Sequence, residues 1–216
     1  MNKYDLILYD LDGTLWDSIP MIMESFRHAY IEVFGTCERT DEDLMSYIGR
    51  PLADTFSMHD EETSKRLLDA YLVHNRFLLD SDVIPMFPGV MEDLNRIKAL
   101  GIPQGTVSSK RYESAIVTLE RKGLEHFFDV GVFKDDTVIH KPEAEPLLYA
   151  AHKLGFTDMS RVIYVGDAVP DAKCAKNAGA AFALVSWSQM DREAVMKEAP
   201  ADSLIIDSLW ELVDPS

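Results

Sequence analysis

A short unbroken apolar run, Leu6-Ile7-Leu8-Tyr9, stands near the start of the chain and breaks at once into polar residues. A run of that length with a polar stop reads as a strand buried on both faces. The period then changes. Ile19, Ile22, Met23, Phe26, Tyr30, Val33 and Phe34 recur at helical spacing and Gly35 ends the run, which predicts a helix over 18–34 with Ser18 as its N-cap. Further helices are predicted over 41–48, capped by Thr40 or Asp41, over 52–56, and over 61–79, where Leu67, Leu68, Tyr71, Leu72 and Leu78 lie near one face. Residues 18–84 thus carry helical patterns and no strand pattern.

After a Pro-bounded linker over 85–88, helix and strand patterns alternate. Helices are predicted over 90–100, 111–122, 143–154 and 170–178, each stopped by a glycine. Strands are predicted over 102–107, 130–133, 162–165 and 181–185, with a last strand over 203–206 and a helix over 207–213. Alternation of this kind builds a parallel, doubly wound sheet. The expectation is an α/β protein with a Rossmann-like core from residues 1–17 and 85–216, into which 18–84 are inserted as a small helical domain.

Composition narrows what such a fold can do. With 216 residues and 47% hydrophobic content the chain can bury a substantial core. No run approaches the roughly eighteen apolar residues of a membrane span. The opening residues lead straight into a strand with no basic segment or apolar h-region, so no signal peptide is expected. Cys37 and Cys174 lie far apart in different surroundings, so reduced thiols and a cytoplasmic location are expected. The net charge of −16 argues against nucleic-acid binding, which needs a basic footprint. It also means that any phosphate site must carry its own cations. The sequence leaves the oligomeric state open, a monomer or weak dimer, because a helical face can serve as an interface without a recognisable signal.

The chemistry begins where the first strand ends, in Asp10-Leu11-Asp12-Gly13-Thr14. Ligands of open parallel sheets bind beyond the carboxyl ends of the strands. Two acids placed there repel each other unless a cation lies between them or one keeps its proton. Asp10 can attack phosphorus as a nucleophile. Asp12, when protonated, can donate to the leaving oxygen and later accept a proton from water. Gly13 permits a tight turn, and the Thr14 hydroxyl can bond a phosphoryl oxygen or cap the loop.

Later strand ends offer matching groups. Ser108 and Ser109 follow the strand over 102–107 and precede a helix, a combination of hydroxyls and free amides that suits phosphate. Lys141, before Pro142, can balance the acids and the phosphoryl charge. Asp167 and Asp171 follow Gly166 at the end of the strand over 162–165. Asp10, the carbonyl of Asp12 and Asp167 would supply three oxygens to an octahedral Mg²⁺. Asp171 would accept from a metal-bound water or pair with Lys141.

These four clusters, in this order, resemble the motifs of the haloacid dehalogenase superfamily over essentially the whole chain. The resemblance implies Asp10 as nucleophile and metal ligand, and Asp12 as acid/base and metal ligand through its carbonyl. It further implies Ser108 and Lys141 on the phosphoryl group, and Asp167 with Asp171 at the metal. Residues 18–84 look like a helical cap of the C1 type. Tyr47-Ile48-Gly49-Arg50-Pro51-Leu52 and Val185-Ser186-Trp187 resemble the phosphoglycolate phosphatase and bacterial pyrophosphatase branch. Ser109 and Ala144 depart from it, since that branch often has Asn and Pro at these steps. Arg50, in a Gly-Arg-Pro loop, is the cap residue expected to meet an anionic substrate group.

The function expected is therefore a Mg²⁺-dependent phosphatase of a small phosphorylated metabolite. A phosphomutase would use the same core. A receiver-type signalling module would also place acids, a hydroxyl and a lysine at strand ends, but its acceptor would not sit in the first acid pair.

Overall fold

The structure, a computed structural model, describes residues 3–48, 52–81 and 84–213. Its elements run in the order β1 (Leu6–Tyr9), α1 (Ile19–Phe34), α2 (Asp41–Met45), α3 (Leu52–Thr55), α4 (Glu61–Asp80), α5 (Val90–Ala99) and β2 (Gln104–Val107). Next come α6 (Tyr112–Arg121), β3 (Val130–Val132), α7 (Glu145–Lys153), β4 (Val162–Gly166), α8 (Val169–Ala178), β5 (Ala181–Val185), α9 (Arg192–Glu198) and β6 (Leu204–Ile206). The strands form one parallel six-stranded sheet in the order β3-β2-β1-β4-β5-β6. The protein is of the α/β, Rossmann-like class.

The chain separates into two compact units, Met1–Asp17 with Met86–Ser216, and Ser18–Pro85. In the first, β1, β2 and β4 bury every residue, as strands covered on both faces must. Leu6, Leu8, Tyr164 and Phe182 from the sheet pack with Leu147, Ala151, Ala172 and Ala175 from α7 and α8. One buried polar pair links β1, β2 and α5. Tyr9 donates to the Gln104 side chain at 2.8 Å, and the Gln104 amide donates to the Leu94 carbonyl at 3.2 Å. The register sets Tyr9 beside Thr106 on one side and Val165 on the other. Strand order reverses here, because β2 and β4 flank β1. A crevice at such a reversal is where open α/β sheets bind ligands.

The second unit is helical. Phe26 of α1 anchors its core, with the rings of Tyr71, Tyr47 and Phe56 at 4.7, 5.4 and 5.9 Å. The buried Asn75 of α4 donates to the Ser25 hydroxyl of α1 at 3.3 Å. Thr40 caps α2 in a reciprocal box with Asp43.

Several boundaries differ from the sequence reading. Ser18 precedes α1 but its hydroxyl makes no capping bond. Its backbone is already helical, and Pro20, in the first turn, has no N–H to offer. The predicted helix over 207–213 is a 3₁₀ turn, Leu209–Leu212. Helix α9 carries no predicted counterpart. Lys141 does not end a strand: β3 stops at Val132, and the lysine sits in the loop before α7.

Candidate active site

Asp10 leaves β1 with its N–H still bonded to Val165 at 2.8 Å, so the sheet fixes its backbone. Gly13, three residues on, has φ +80. A Cβ there would overlap the Asp167 carboxylate, as well as straining the left-handed backbone. The β4 end is equally close-packed, since a Cβ on Gly166 would meet the Asp171 Cβ at 2.5 Å and its Cγ at 2.7 Å. Gly13 lets the loop after β1 approach the loop after β4, and Gly166 lets Asp171 of α8 close onto the end of its own strand.

Lys141 sits in the middle of those acids. Its Nζ donates to Asp10 Oδ1 at 3.0 Å, to Asp171 Oδ1 at 2.7 Å and to the Tyr164 hydroxyl at 3.1 Å. Tyr164 in turn donates to the Val107 carbonyl at 2.7 Å. Three donors to three acceptors is the full capacity of an ammonium. The loop that presents the lysine has a cis Lys141–Pro142 peptide and is pinned from α8. Asn177 donates to the Pro142 carbonyl at 3.0 Å, and the Cys174 thiol to the Glu143 carbonyl at 2.9 Å.

Of the two expectations for Asp171, the pairing with Lys141 is the one present. Its other oxygen accepts from the N–H groups of Asp167 and Ala168, at 3.2 and 3.1 Å. Asp167 is different. Its backbone carbonyl accepts from Ser188 at 2.7 Å, but its buried carboxylate has no hydrogen-bond donor among the described residues.

Asp12 points into another network. Lys110 Nζ reaches both carboxylate oxygens, at 3.1 and 3.0 Å, and the Trp16 indole N–H reaches Oδ1 at 2.9 Å. Ser108 follows β2, where its N–H bonds to Val132 at 2.9 Å and its hydroxyl accepts from the Lys110 N–H at 3.3 Å. Ser109 is half-buried beside it. The Thr14 hydroxyl is buried and has no partner among the described residues, so no bond there supports the loop-capping alternative. Arg50 lies outside the described residues.

Burial dominates the electrostatics. It pushes the Asp10 carboxyl up to about 7 against the pull of Lys141, with Asp171 and Asp12 adding to the rise. Asp167 is raised well above the usual carboxylate range by burial first, then by Asp171 and Asp10. For Lys141, burial favours the neutral amine, but Asp10 and Asp171 outweigh it and raise the pKa. Asp10, Asp167 and Asp171 bring carboxylate oxygens within 4.8 Å of one another. One ammonium against three buried acids leaves an excess of negative charge, and the undonated carboxylate of Asp167 lies at that excess. A hard divalent cation fits this donor set.

Lys110 and Tyr164 were absent from the sequence reading. Lys110 looks like an ordinary lysine before a helix, and its ion pair spans ninety-eight residues of sequence. Tyr164 stands in an apolar strand, where its ring reads as core. Its hydroxyl is the only visible hint.

A family model described as haloacid dehalogenase-like hydrolase matches residues 7–185. Pyrophosphatase PpaX of Halalkalibacterium halodurans is 33% identical over 212 residues, covering 98% of this chain and 96% of that protein. Pyrophosphatase PpaX of Bacillus velezensis is 34% identical over 187 residues, covering 87% and 85%. A crystal structure from Bacteroides fragilis, described as a haloacid dehalogenase-like hydrolase, superposes with a TM-score of 0.85 at 28% identity, covering 97% of this chain and 100% of that one.

Proposed function

The chain belongs to the haloacid dehalogenase-like hydrolases, and we propose that it is a Mg²⁺-dependent phosphohydrolase acting on a small anionic metabolite, with pyrophosphate the preferred class. The observation that carries this reading is the division of labour within the acid cluster. Lys141 holds one oxygen of Asp10 and, among the described residues, the other has no donor and lies beside the undonated carboxylate of Asp167. In this reading the unbonded oxygen of Asp10 attacks phosphorus, the bond to the leaving oxygen breaks, and an aspartyl phosphate forms on Asp10. Asp12 delivers a proton to the leaving oxygen. It then takes one from the water that attacks phosphorus and releases inorganic phosphate.

Asp10, Asp167 and the Asp12 carbonyl would hold Mg²⁺, which when bound supplies charge neutralisation to the phosphoryl oxygens. Lys141 neutralises Asp10 and Asp171, and Asp171 positions Lys141. Ser108, Ser109 and Thr14 are assigned to phosphoryl oxygens. Lys110 and Trp16 orient Asp12. Residues 18–84 are assigned the role of a cap that supplies substrate contacts, with Arg50 its contact to an anionic group.

Pyrophosphate is preferred because the relatives above 30% identity are named pyrophosphatases. Phosphoglycolate-like monoesters are the second substrate class. A cytoplasmic location follows from this role. No helix among the described residues is long and apolar enough to cross a membrane.

The test is phosphate release from pyrophosphate and phosphoglycolate by the wild type with Mg²⁺, the wild type with EDTA, and Asp10→Asn. Turnover is expected only in the first. Hydrolysis that persists in Asp10→Asn would remove Asp10 from the nucleophile's role, and hydrolysis that persists in EDTA would remove the metal.

A further inference from the structure

The loop after β5, residues 186–189, takes no part in the chemistry above, yet it is bonded to both loops that carry the acids. We propose that this loop is a brace, in which Trp187 and Ser188 are positioning residues that fix the separation of the cation's ligands. The loop after β1 brings Asp10 and the Asp12 carbonyl, and the loop after β4 brings Asp167. The proposal rests on the metal assignment made above and adds the residues that set the strength of binding.

Two consecutive residues make the two contacts. The Trp187 indole N–H donates to the Thr14 carbonyl at 3.1 Å, and the Ser188 hydroxyl donates to the Asp167 carbonyl at 2.7 Å. Neighbouring residues are held together by the chain itself, so the pair of bonds ties Thr14 to Asp167. Thr14 does not move alone. The turn around it is closed by Thr14 N–H and Leu15 N–H to the Leu11 carbonyl, at 3.3 and 2.9 Å, and by Gly13 N–H to the Trp16 carbonyl at 2.9 Å. Holding the Thr14 carbonyl therefore holds the turn that contains Asp12.

The brace has its own footing. Ser186 N–H bonds to the Ile206 carbonyl of β6 at 2.8 Å, and Ser188 N–H to the Val185 carbonyl of β5 at 3.1 Å. The Ser188 hydroxyl accepts from the Met190 N–H at 3.1 Å, which leaves its own proton for Asp167. The Trp187 ring lies against Phe87, with centroids 5.7 Å apart.

Asp167 is the residue that needs such support. Its carboxylate has no donor among the described residues, so its backbone alone sets where it stands. That backbone is held by the Asp167 N–H on Asp171 at 3.2 Å and by the shorter bond from Ser188. Asp10, Asp167 and Asp171 bring carboxylate oxygens within 4.8 Å of one another, and like charges this close push their loops apart. Gly13, in contact with the Asp167 carboxylate, limits how near the two loops come. The brace limits how far they part. Hydrogen bonds that hold a metal's ligands in place change its affinity roughly ten- to hundredfold when removed.

The experiment titrates Mg²⁺ calorimetrically, without substrate, into the wild type, Ser188→Ala, Ser188→Thr, Trp187→Phe and the double variant Ser188→Ala/Trp187→Phe. Circular dichroism checks folding. Ser188→Ala and Trp187→Phe are each expected to weaken Mg²⁺ binding about tenfold. Ser188→Thr keeps the hydroxyl and should bind nearly as the wild type does. A brace cut at one end spans nothing, so the double variant should also lose about tenfold, not the roughly hundredfold of two independent contacts.

Unchanged affinity in either Ser188→Ala or Trp187→Phe, or additive losses in the double variant, would overturn the brace while leaving the metal assignment intact. If Ser188→Ala does not fold, Trp187→Phe decides: weakened binding retains the brace and equal binding overturns it. A wild type that binds no Mg²⁺ would overturn the metal assignment, and the brace with it.

Discussion

Lys141 shows how much a single side chain organises here. It is 8% exposed, and its three contacts are two buried carboxylates and a buried phenol. Removing one partner of a buried ionic network strands the others without compensation. Lys141→Met is therefore expected to lose about 3–5 kcal/mol of unfolding free energy in a urea titration. A loss below about 1 kcal/mol, the range of an exposed pair, would mean that the lysine is not embedded as described. At this scale the sequence was readable where chemistry coincides with strand ends, as for Asp10, Ser108 and Asp167. Lys110 and Tyr164 could not be read, because their partners come from distant loops and nothing in their own neighbourhood marks them.

Elements are legible in proportion to how many of their positions face a core. Helix α1 buries Ile19, Met21, Phe26, Ala29 and Tyr30 among others, and its period is plain. Helix α9 buries Val195 alone, so no period exists to find. The contact of α1 with α4 contains a feature that neither helix reveals separately. His28 and His74 stack at 3.9 Å with rings 5° from parallel, and His28 Nδ1 and His74 Nε2 are buried without hydrogen-bond partners. Burial first, and then His28, hold the His74 pKa below its ordinary value, while Glu24 pulls the other way. A base with a depressed folded pKa stabilises the fold above its unfolded pKa and loses that contribution as pH falls through the folded one. The melting temperature should thus drop as pH falls below about 6.5. The pH slope, measured by calorimetry, should be shallower in His74→Phe. Equal slopes would place the acid sensitivity elsewhere.

On the scale of the whole molecule, acidic charge is both surplus and internal. The chain carries 37 acidic against 21 basic residues, and it buries three carboxylates within 4.8 Å of one another around one lysine. Like charges inside a low-dielectric core cost stability unless a cation joins them. The two-unit layout was visible in the sequence as a change of hydrophobic period. The cost of the acid cluster was not, since it depends on the close approach that Gly13 allows between loops more than one hundred and fifty residues apart. That cost can be measured without any substrate. A ligand bound only by the folded state at one hundred times its dissociation constant adds about 2.7 kcal/mol of stability. Saturating Mg²⁺ should therefore raise the melting temperature of the wild type by several degrees. Asp167→Asn removes a buried charge that no donor satisfies, so in EDTA it should melt above the wild type, and Mg²⁺ should shift it little. If Asp167→Asn melts lower than the wild type in EDTA, the Asp167 carboxylate stabilises the metal-free fold. The excess negative charge would then be neutralised within the protein, and the argument for a cation at this cluster would lose its basis.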